Sequence, residues 1–482
     1  MKKHNLLKVL LIVIFLLIVA SWFIPGTIVS SGKFNEIDVD AVGLFSLADY
    51  FSYALQVFCN IPILILSIGG LYGVLHKIPQ YRMLLDKIVD GFEDREWIFM
   101  VIIGVSIALL SSLAGLSLPL LVLFPFVISV ILLMGYDKVT AAMLTVGSVI
   151  AGLIGTVFSN VGIAGAGFTY STYDVDTIVS SGLELITFSA NGNVLFKLLL
   201  LVLGLGLVLI NTIKYSEKHK DKKNLIKGDF IPEKAETNNK SFIPIVVVLD
   251  LLLIVIALSF ISWDVFNISL FSDMTKNFLN PTGNIMGGVY GALSTILGVT
   301  EYSVFGNWNL LEVSSVVFLA SIIIAIIYRK SLDSYLNAFT LGVKKAIIPA
   351  LIVSVSFMII IISFDVPVHL TLLKGILDLD GGVNIATMSI LALVYSIFLF
   401  DPFFILAVGS TYVSAVATAS TIGLAGLIWQ SMYGVAMLIA PTSVVLLATL
   451  SYLDISYTKW MKSIWRLLLE LLGVVFIVLL LV

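Results

Sequence analysis

The chain has 482 residues, 59% of them hydrophobic and 12% charged, with a net charge of −3 and a mean hydropathy of +1.10. Too little polar surface remains to coat a soluble particle of this size, and the basic residues sit in loops, which excludes a soluble enzyme and a nucleic-acid-binding surface. The single cysteine, Cys59, excludes an internal disulfide, and His4, His76, His219 and His369 lack metal-ligand spacing, so no metal centre or cofactor is expected.

Repeated apolar runs near the ~20 residues needed to cross a bilayer, joined by short charged loops, predict an all-α polytopic membrane protein rather than a β-barrel. Lys2, Lys3 and Lys8 precede the apolar run from Val9 to Ile24. Trp22, Phe23 and Pro25 stand where a small-residue cleavage site would be, so the run reads as a first transmembrane helix with a cytoplasmic N-terminus. The acidic stretch from Gly26 to Phe45 is then an exterior loop, and Tyr50 to Leu75 returns inward. Lys77, Arg82, Lys87 and Arg95 mark a cytoplasmic amphipathic helix on the membrane surface.

Trp97 to Lys138 is apolar but punctuated at Gly115, Ser117, Pro119 and Pro125. It is too short for two spans and an exterior loop. It predicts a re-entrant hairpin that turns at Ser117 to Pro119 and closes at Gly135-Tyr136-Asp137-Lys138. The next helix runs outward from about Val139 and places Ser159 and Asn160 amid the glycines of the stretch from Gly152 to Gly167, which predicts a broken helix. Phe168 to Asn193 lacks lysine and arginine and reads as exterior, and Val194 to Ile213 returns inward. Lys214 to Lys240, with eight lysines and five acids, reads as a flexible cytoplasmic linker.

In the second half Ser241 to Trp263 runs outward and Asp264 to Asn309 is exterior, with a glycine-rich patch from Met286 to Gly298 of no assignable role. Leu310 to Tyr328 runs inward and Ala346 to Ser363 outward. Thr387 to Thr418, interrupted at Asp401-Pro402, reads as a hairpin entering from the exterior. Thr421 to Leu450 runs inward, broken at Pro441-Thr442-Ser443, and Leu467 to Val482 exits, placing the C-terminus outside.

The two halves show the same element order in opposite directions. Ser117 and Asn160 are 43 residues apart, Asp401 and Thr442 41. This predicts an inverted-topology repeat with two re-entrant hairpins and two broken transmembrane helices, divided as 1–213, a linker over 214–240, and 241–482. Such a repeat implies a secondary active transporter working by alternating access. The competing readings are a passive channel and an intramembrane enzyme. No paired catalytic carboxylates, histidine cluster or nucleophile with a base at usable spacing supports the enzyme.

The predicted substrate or ion site comprises Ser159, Asn160, Pro441, Thr442 and Ser443 with Asp401, and the hairpin tips are Ser117, Pro119 and Pro402. Hydroxyl, amide and freed backbone groups suit a carboxylate or a hard cation, although small and polar residues also glue membrane helices. Asp401-Pro402 equally suits a helix N-cap. Asp250 lies in mid-span without a surrounding motif, and Lys197 and Glu470 near helix ends are expected to snorkel.

Phe124-Pro125, Gly135-Tyr136-Asp137, Asn160, Ala440-Pro441-Thr442-Ser443 and Tyr457-Thr458-Lys459-Trp460 together resemble the YfcC-like carriers, relatives of the anaerobic dicarboxylate carriers in the ion transporter superfamily. The resemblance implies a plasma-membrane carrier for small organic anions or amino acids, coupled to an ion such as Na⁺ or H⁺. It also implies a homodimer with an elevator-like transport domain. The chain departs from that pattern at Ser117 and Leu118, where the family has paired acids, at Asn160, which lacks the following Pro-Phe, and at Phe400-Asp401-Pro402-Phe403 in the second tip. The expected partners are therefore a small polar metabolite, an amino acid or an organic acid, and the lipid bilayer, with no nucleic acid.

Overall fold

A computed structural model describes residues 5–30, 33–43, 45–157, 193–220, 230–232, 241–261, 263, 268–271, 273, 305–306, 308–374, 383–399 and 421–482. It shows an all-α polytopic membrane protein. In chain order the helices of the first half are α1 (Asn5–Phe23), α2 (Ser46–Phe58), α3 (Asn60–His76), α4 (Pro79–Gly91), α5 (Glu96–Ala114), α6 (Phe124–Leu133), α7 (Lys138–Ile154) and α8 (Val194–His219). Those of the second are α9 (Ile243–Phe260), α10 (Leu310–Ile327), α11 (Leu332–Asp365), α12 (Val368–Lys374), α13 (Ile385–Phe398), α14 (Ile422–Ala436), α15 (Val444–Leu453) and α16 (Tyr457–Leu479). Among the described residues six helices, α1, α5, α8, α9, α10 and α11, are singly long and apolar enough to cross a membrane. Their outer faces carry leucine, isoleucine and phenylalanine, such as Leu11, Phe15, Leu251 and Phe318, as a lipid-facing surface requires.

Two features at the start of the chain add detail to the sequence reading. The acidic loop after α1 folds into an antiparallel hairpin, β1 (Gly26–Ser30) with β2 (Lys33–Ile37). The inward segment Tyr50 to Leu75 is built from two helices meeting at Cys59 with a bend of 64°. Pro62 supplies the reason: it has no N–H to donate and its ring crowds the carbonyl four residues back, that of Phe58.

Among the described helices α3 and α11 form the most extensive contact, antiparallel and in close approach. A Cβ at Gly73 would lie 2.4 Å from the Ala338 carbonyl oxygen, and one at Gly342 would lie 2.0 Å from the Gly69 carbonyl oxygen. Small residues one turn apart let the two backbones touch, which is how membrane helices associate without a hydrophobic driving force. With α2 the pairing continues along α11: Phe58 meets Phe357 at 4.5 Å between ring centroids, and the Tyr50 hydroxyl donates to Asp365. α11 has 34 residues, about 50 Å at 1.5 Å per residue, so it projects beyond the hydrocarbon.

Lys77, Lys220 and Lys330 lie at one end of the molecule, while Lys374 lies at the other. At the first end Lys330 donates to the Lys77 carbonyl at 3.0 Å, Lys220 pairs with Glu96 at 2.7 Å, and Tyr328 donates to the Ser241 carbonyl at 2.8 Å. At the other end Thr27 bonds Thr371 at 2.7 Å and Lys374 pairs with Glu36.

The expected flexible linker is partly corrected. α8 continues through its first residues to His219, and residues 230–232 are docked. Ser129 donates to the Phe230 carbonyl at 2.7 Å, Arg82 to the Pro232 carbonyl at 3.1 Å, and the Phe230 ring meets Tyr452 edge-on at 5.3 Å. Phe-Ile-Pro is an apolar island in a polar stretch, and it buries where it can.

Candidate functional site

α7 is the first wall of the site. Asp137 caps its N-terminus, accepting from the backbone N–H and the hydroxyl of Thr140, both at 2.8 Å, after a turn made at Gly135 with φ of 88°. Nearly every residue of α7 is buried, between α5, α8 and α14. The helix ends at Ile154, with Gly155 next, earlier than the break expected at Ser159 and Asn160. A Cβ at Gly155 would lie 2.4 Å from the Leu201 backbone nitrogen and 2.6 Å from the Lys197 carbonyl oxygen. Only glycine allows α8 to approach so closely.

The backbone groups freed at this break are individually partnered. Ser112 of α5 donates its hydroxyl to the Gly155 carbonyl at 2.7 Å, and the Val157 N–H donates to the Ser112 carbonyl at 3.1 Å. From the other half of the chain, Gln430 of α14 donates to the Thr156 carbonyl at 2.7 Å. Buried carbonyls left without such donors would each cost about 1–3 kcal/mol.

The second break lies where the sequence predicts it. α14 ends at Ala436, and Met437 to Ser443 is irregular before α15 begins at Val444. Thr442 is fully buried and Ser443 nearly so. Thr442 donates its hydroxyl to the Ile397 carbonyl of α13 at 2.8 Å. The freed carbonyls again find donors: Trp460 Nε1 bonds the Leu438 carbonyl at 3.0 Å, and the Tyr457 hydroxyl bonds that of Ile439. The segment Tyr457-Thr458-Lys459-Trp460 thus has a physical task, holding the unwound backbone of the second break.

The breaks belong to helices that pack together. A Cβ at Gly434 would lie 2.5 Å from the Ile154 backbone nitrogen, so α14 and α7 touch just before each unwinds, and α15 also packs on α7. At the first predicted tip, α5 closes at Gly115 in the left-handed conformation, φ 65°, and Pro119 opens a short 3-10 turn. That turn packs against α3 and α10, and Tyr72 donates to the Val122 carbonyl at 2.8 Å. α5 has 19 residues and is long enough to cross a membrane by itself. Ser159, Asn160, Asp401 and Pro402 lie outside the described residues.

One other residue differs from expectation. Lys197, expected to snorkel, is 1% exposed, on α8 beside the first break. Buried cations in membrane segments face bundle interiors and mark anion or ion pathways. No sequence motif surrounds it, and only its register on α8 against Gly155 could have shown it. Asp250 is exposed on α9 and contributes nothing to the breaks. Glu470 accepts from Asn211 at 2.6 Å and Arg466 at 2.8 Å, tying α16 to α8. Among the described residues no cluster of three or more His, Cys, Asp or Glu could hold a metal ion.

Apolar spans and two unwound helix segments held by dedicated donors describe a multi-pass membrane protein, and the match to a carrier family makes it a transporter rather than an enzyme. The whole chain, residues 4–482, matches the model of the C4-dicarboxylate anaerobic carriers (DcuC). It belongs to that family. No curated protein matches it. Among solved structures it is similar to the YdaH transporter of Alcanivorax borkumensis, described as having an unusual topology, with 15% identity and a TM-score of 0.39 over 98% of this chain and 97% of that one.

Proposed function

We propose that the protein is an ion-coupled secondary carrier of a four-carbon dicarboxylate or a closely similar small organic acid, binding it between the two helix breaks. The observation that carries this reading is the pairing of the unwound segments 155–157 and 437–443 on touching helices, with the buried Lys197 beside the first. Irregular backbone at membrane depth is tolerated where it lines a binding cavity, the second lone pair of each partnered carbonyl can coordinate a cation, and a lysine buried beside the first break has the sign of charge that an anion needs. The family's description names the C4-dicarboxylate class.

The same reading takes the halves as an inverted repeat, 1–213 and 241–482 about the linker 214–240. Its support is that α5 packs on α7 as α13 packs on α14, and that α3 with α11 and α8 with α16 also pair across the halves. Re-entrant hairpins with tips at Ser117–Pro119 and Asp401–Pro402, alternating access of an elevator type, and a homodimer belong to this proposal, as does placement in the YfcC-like branch. The end that holds Lys77, Lys220 and Lys330 faces the cytoplasm of a plasma membrane, with the N-terminus inside and the C-terminus outside, by the positive-inside rule. Na⁺ or H⁺ is the coupling ion.

Purified protein in sealed vesicles tests the reading. Saturable uptake of succinate or fumarate that collapses without a Na⁺ or pH gradient is the expected result, and conductance without saturation overturns it. Asn160→Ala and Thr442→Ala each weaken ion-dependent substrate binding, and unchanged binding in both places the site elsewhere.

A further inference from the structure

α12, α13 and α14 bring together three aromatic residues whose polar atoms are buried and unmatched. His369, Tyr395 and Trp429 are 5%, 1% and 2% exposed. The imidazole stands edge-on to Tyr395 at 5.7 Å between centroids and stacks on Phe398 at 4.9 Å, and Tyr395 in turn meets Trp429 at 5.7 Å. Among the described residues neither imidazole nitrogen, nor the Tyr395 hydroxyl, nor Trp429 Nε1 has a hydrogen-bond partner, and the hydroxyl of the adjacent Ser396 has none either. Buried polar side chains are paired in the great majority of cases, so orphaned groups on one contiguous run of rings call for a ligand.

The place of the cluster is informative. Ile397, between Ser396 and Phe398, accepts the hydrogen bond from Thr442, and Gln430, the residue after Trp429, holds the Thr156 carbonyl. Tyr395 and Trp429 thus sit on the two helices, α13 and α14, that also carry these contacts. α13 and α14 contain no charged residue, and Lys374 of α12 is engaged with Glu36. Tryptophan Nε1 only donates, a tyrosine hydroxyl and a serine hydroxyl donate readily, and a neutral imidazole donates from one nitrogen. Such a donor-rich group lacks the collected oxygens a hard cation requires and suits a ligand rich in acceptor oxygens.

We propose that His369, Tyr395 and Trp429, with the Ser396 hydroxyl, form a subsite that binds one carboxylate of the transported anion. The proposal rests on the dicarboxylate reading above and adds to it the residues for one end of the substrate. Neutral donors hold a carboxylate without a permanent counter-charge, as a carrier that must release its cargo requires.

The test is uptake of radiolabelled succinate by vesicles containing the full chain, with Tyr395→Phe, Ser396→Ala and His369→Gln compared with the unmodified protein. Tyr395→Phe removes one oxygen and keeps the ring, so folding, checked by thermal unfolding, is expected to be unchanged. Because hydrogen bonds to charged groups are the stronger kind, each substitution is expected to raise the KM for succinate roughly ten-fold with kcat nearly unchanged. Inhibition by butyrate, which has one carboxylate, changes less. Unmodified protein that takes up succinate, with wild-type KM in Tyr395→Phe and His369→Gln, overturns the subsite alone. Unmodified protein that takes up no four-carbon dicarboxylate overturns the functional reading and the subsite with it.

Discussion

Ser112→Ala isolates the bond that holds the first break. The hydroxyl is fully buried and donates 2.7 Å to the Gly155 carbonyl. Alanine keeps the Cβ, creates almost no cavity, and leaves the backbone bond from Val157 N–H to the Ser112 carbonyl intact. What is lost is one donor to one buried carbonyl, about 1–3 kcal/mol, or roughly 5- to 150-fold in an equilibrium constant. If the break keeps its shape in the empty protein, the loss appears as lower thermal stability. If the backbone relaxes and must be re-formed around substrate, the loss appears as a higher KM and a smaller ligand-induced rise in melting temperature. Ser106→Ala is the control, because Ser106 makes a similar bond within the same helix, 2.9 Å to the Ile102 carbonyl, on the exposed face. Exposed substitutions of this kind change stability by no more than about 0.5 kcal/mol. A Ser112→Ala protein that matches Ser106→Ala in both melting temperature and KM refutes the view that α5 fastens the break.

Four other outcomes are expected. Gly73→Val places a side chain against the Ala338 backbone carbonyl, which cannot yield as a side chain could, so folded yield in detergent falls sharply while Gly206→Val, with open space around it, does not lower it. Trp460→Phe leaves the Leu438 carbonyl unpaired and is expected to destabilise the protein by about 1–3 kcal/mol, read from unfolding in denaturant. Phe230→Ala undocks residues 230–232 from Tyr452 and speeds trypsin cleavage of the lysine-rich segment, with a small effect on stability. Lys197→Gln is expected to abolish succinate uptake at concentrations that saturate the unmodified carrier, and Lys197→Arg to retain a part of it; uptake by both at the original rate removes Lys197 from the anion path.

Composition and hydrophobic run length determined that the chain is a polytopic helical membrane protein, because a bilayer leaves a span no other way to pair its backbone groups than the helix or the closed barrel. Local chemistry likewise set the turn after Gly115, the cap at Asp137 and the break before Ser443, since glycine, aspartate and proline act within a few residues of themselves. The bend at Cys59 was legible too, in Pro62, but apolar continuity hid it. The strand pair after α1 was not, because five-residue strands leave little periodicity to read.

Which backbone groups at the breaks are satisfied, and by what, was decided only in three dimensions. Ser112 reaches Gly155, Gln430 reaches Thr156 across the two halves, and Trp460 reaches Leu438 over 22 residues. The same holds for Lys197, which reads as a lysine near a helix end and is buried because Gly155 lets α8 come against α7. It holds again for His369, Tyr395 and Trp429, which come from three helices and show no spacing in the chain. Sequence records what a residue can bond and what its neighbours allow. The partners at a site made by long-range packing depend on which helix faces meet, and that is a property of the assembled bundle.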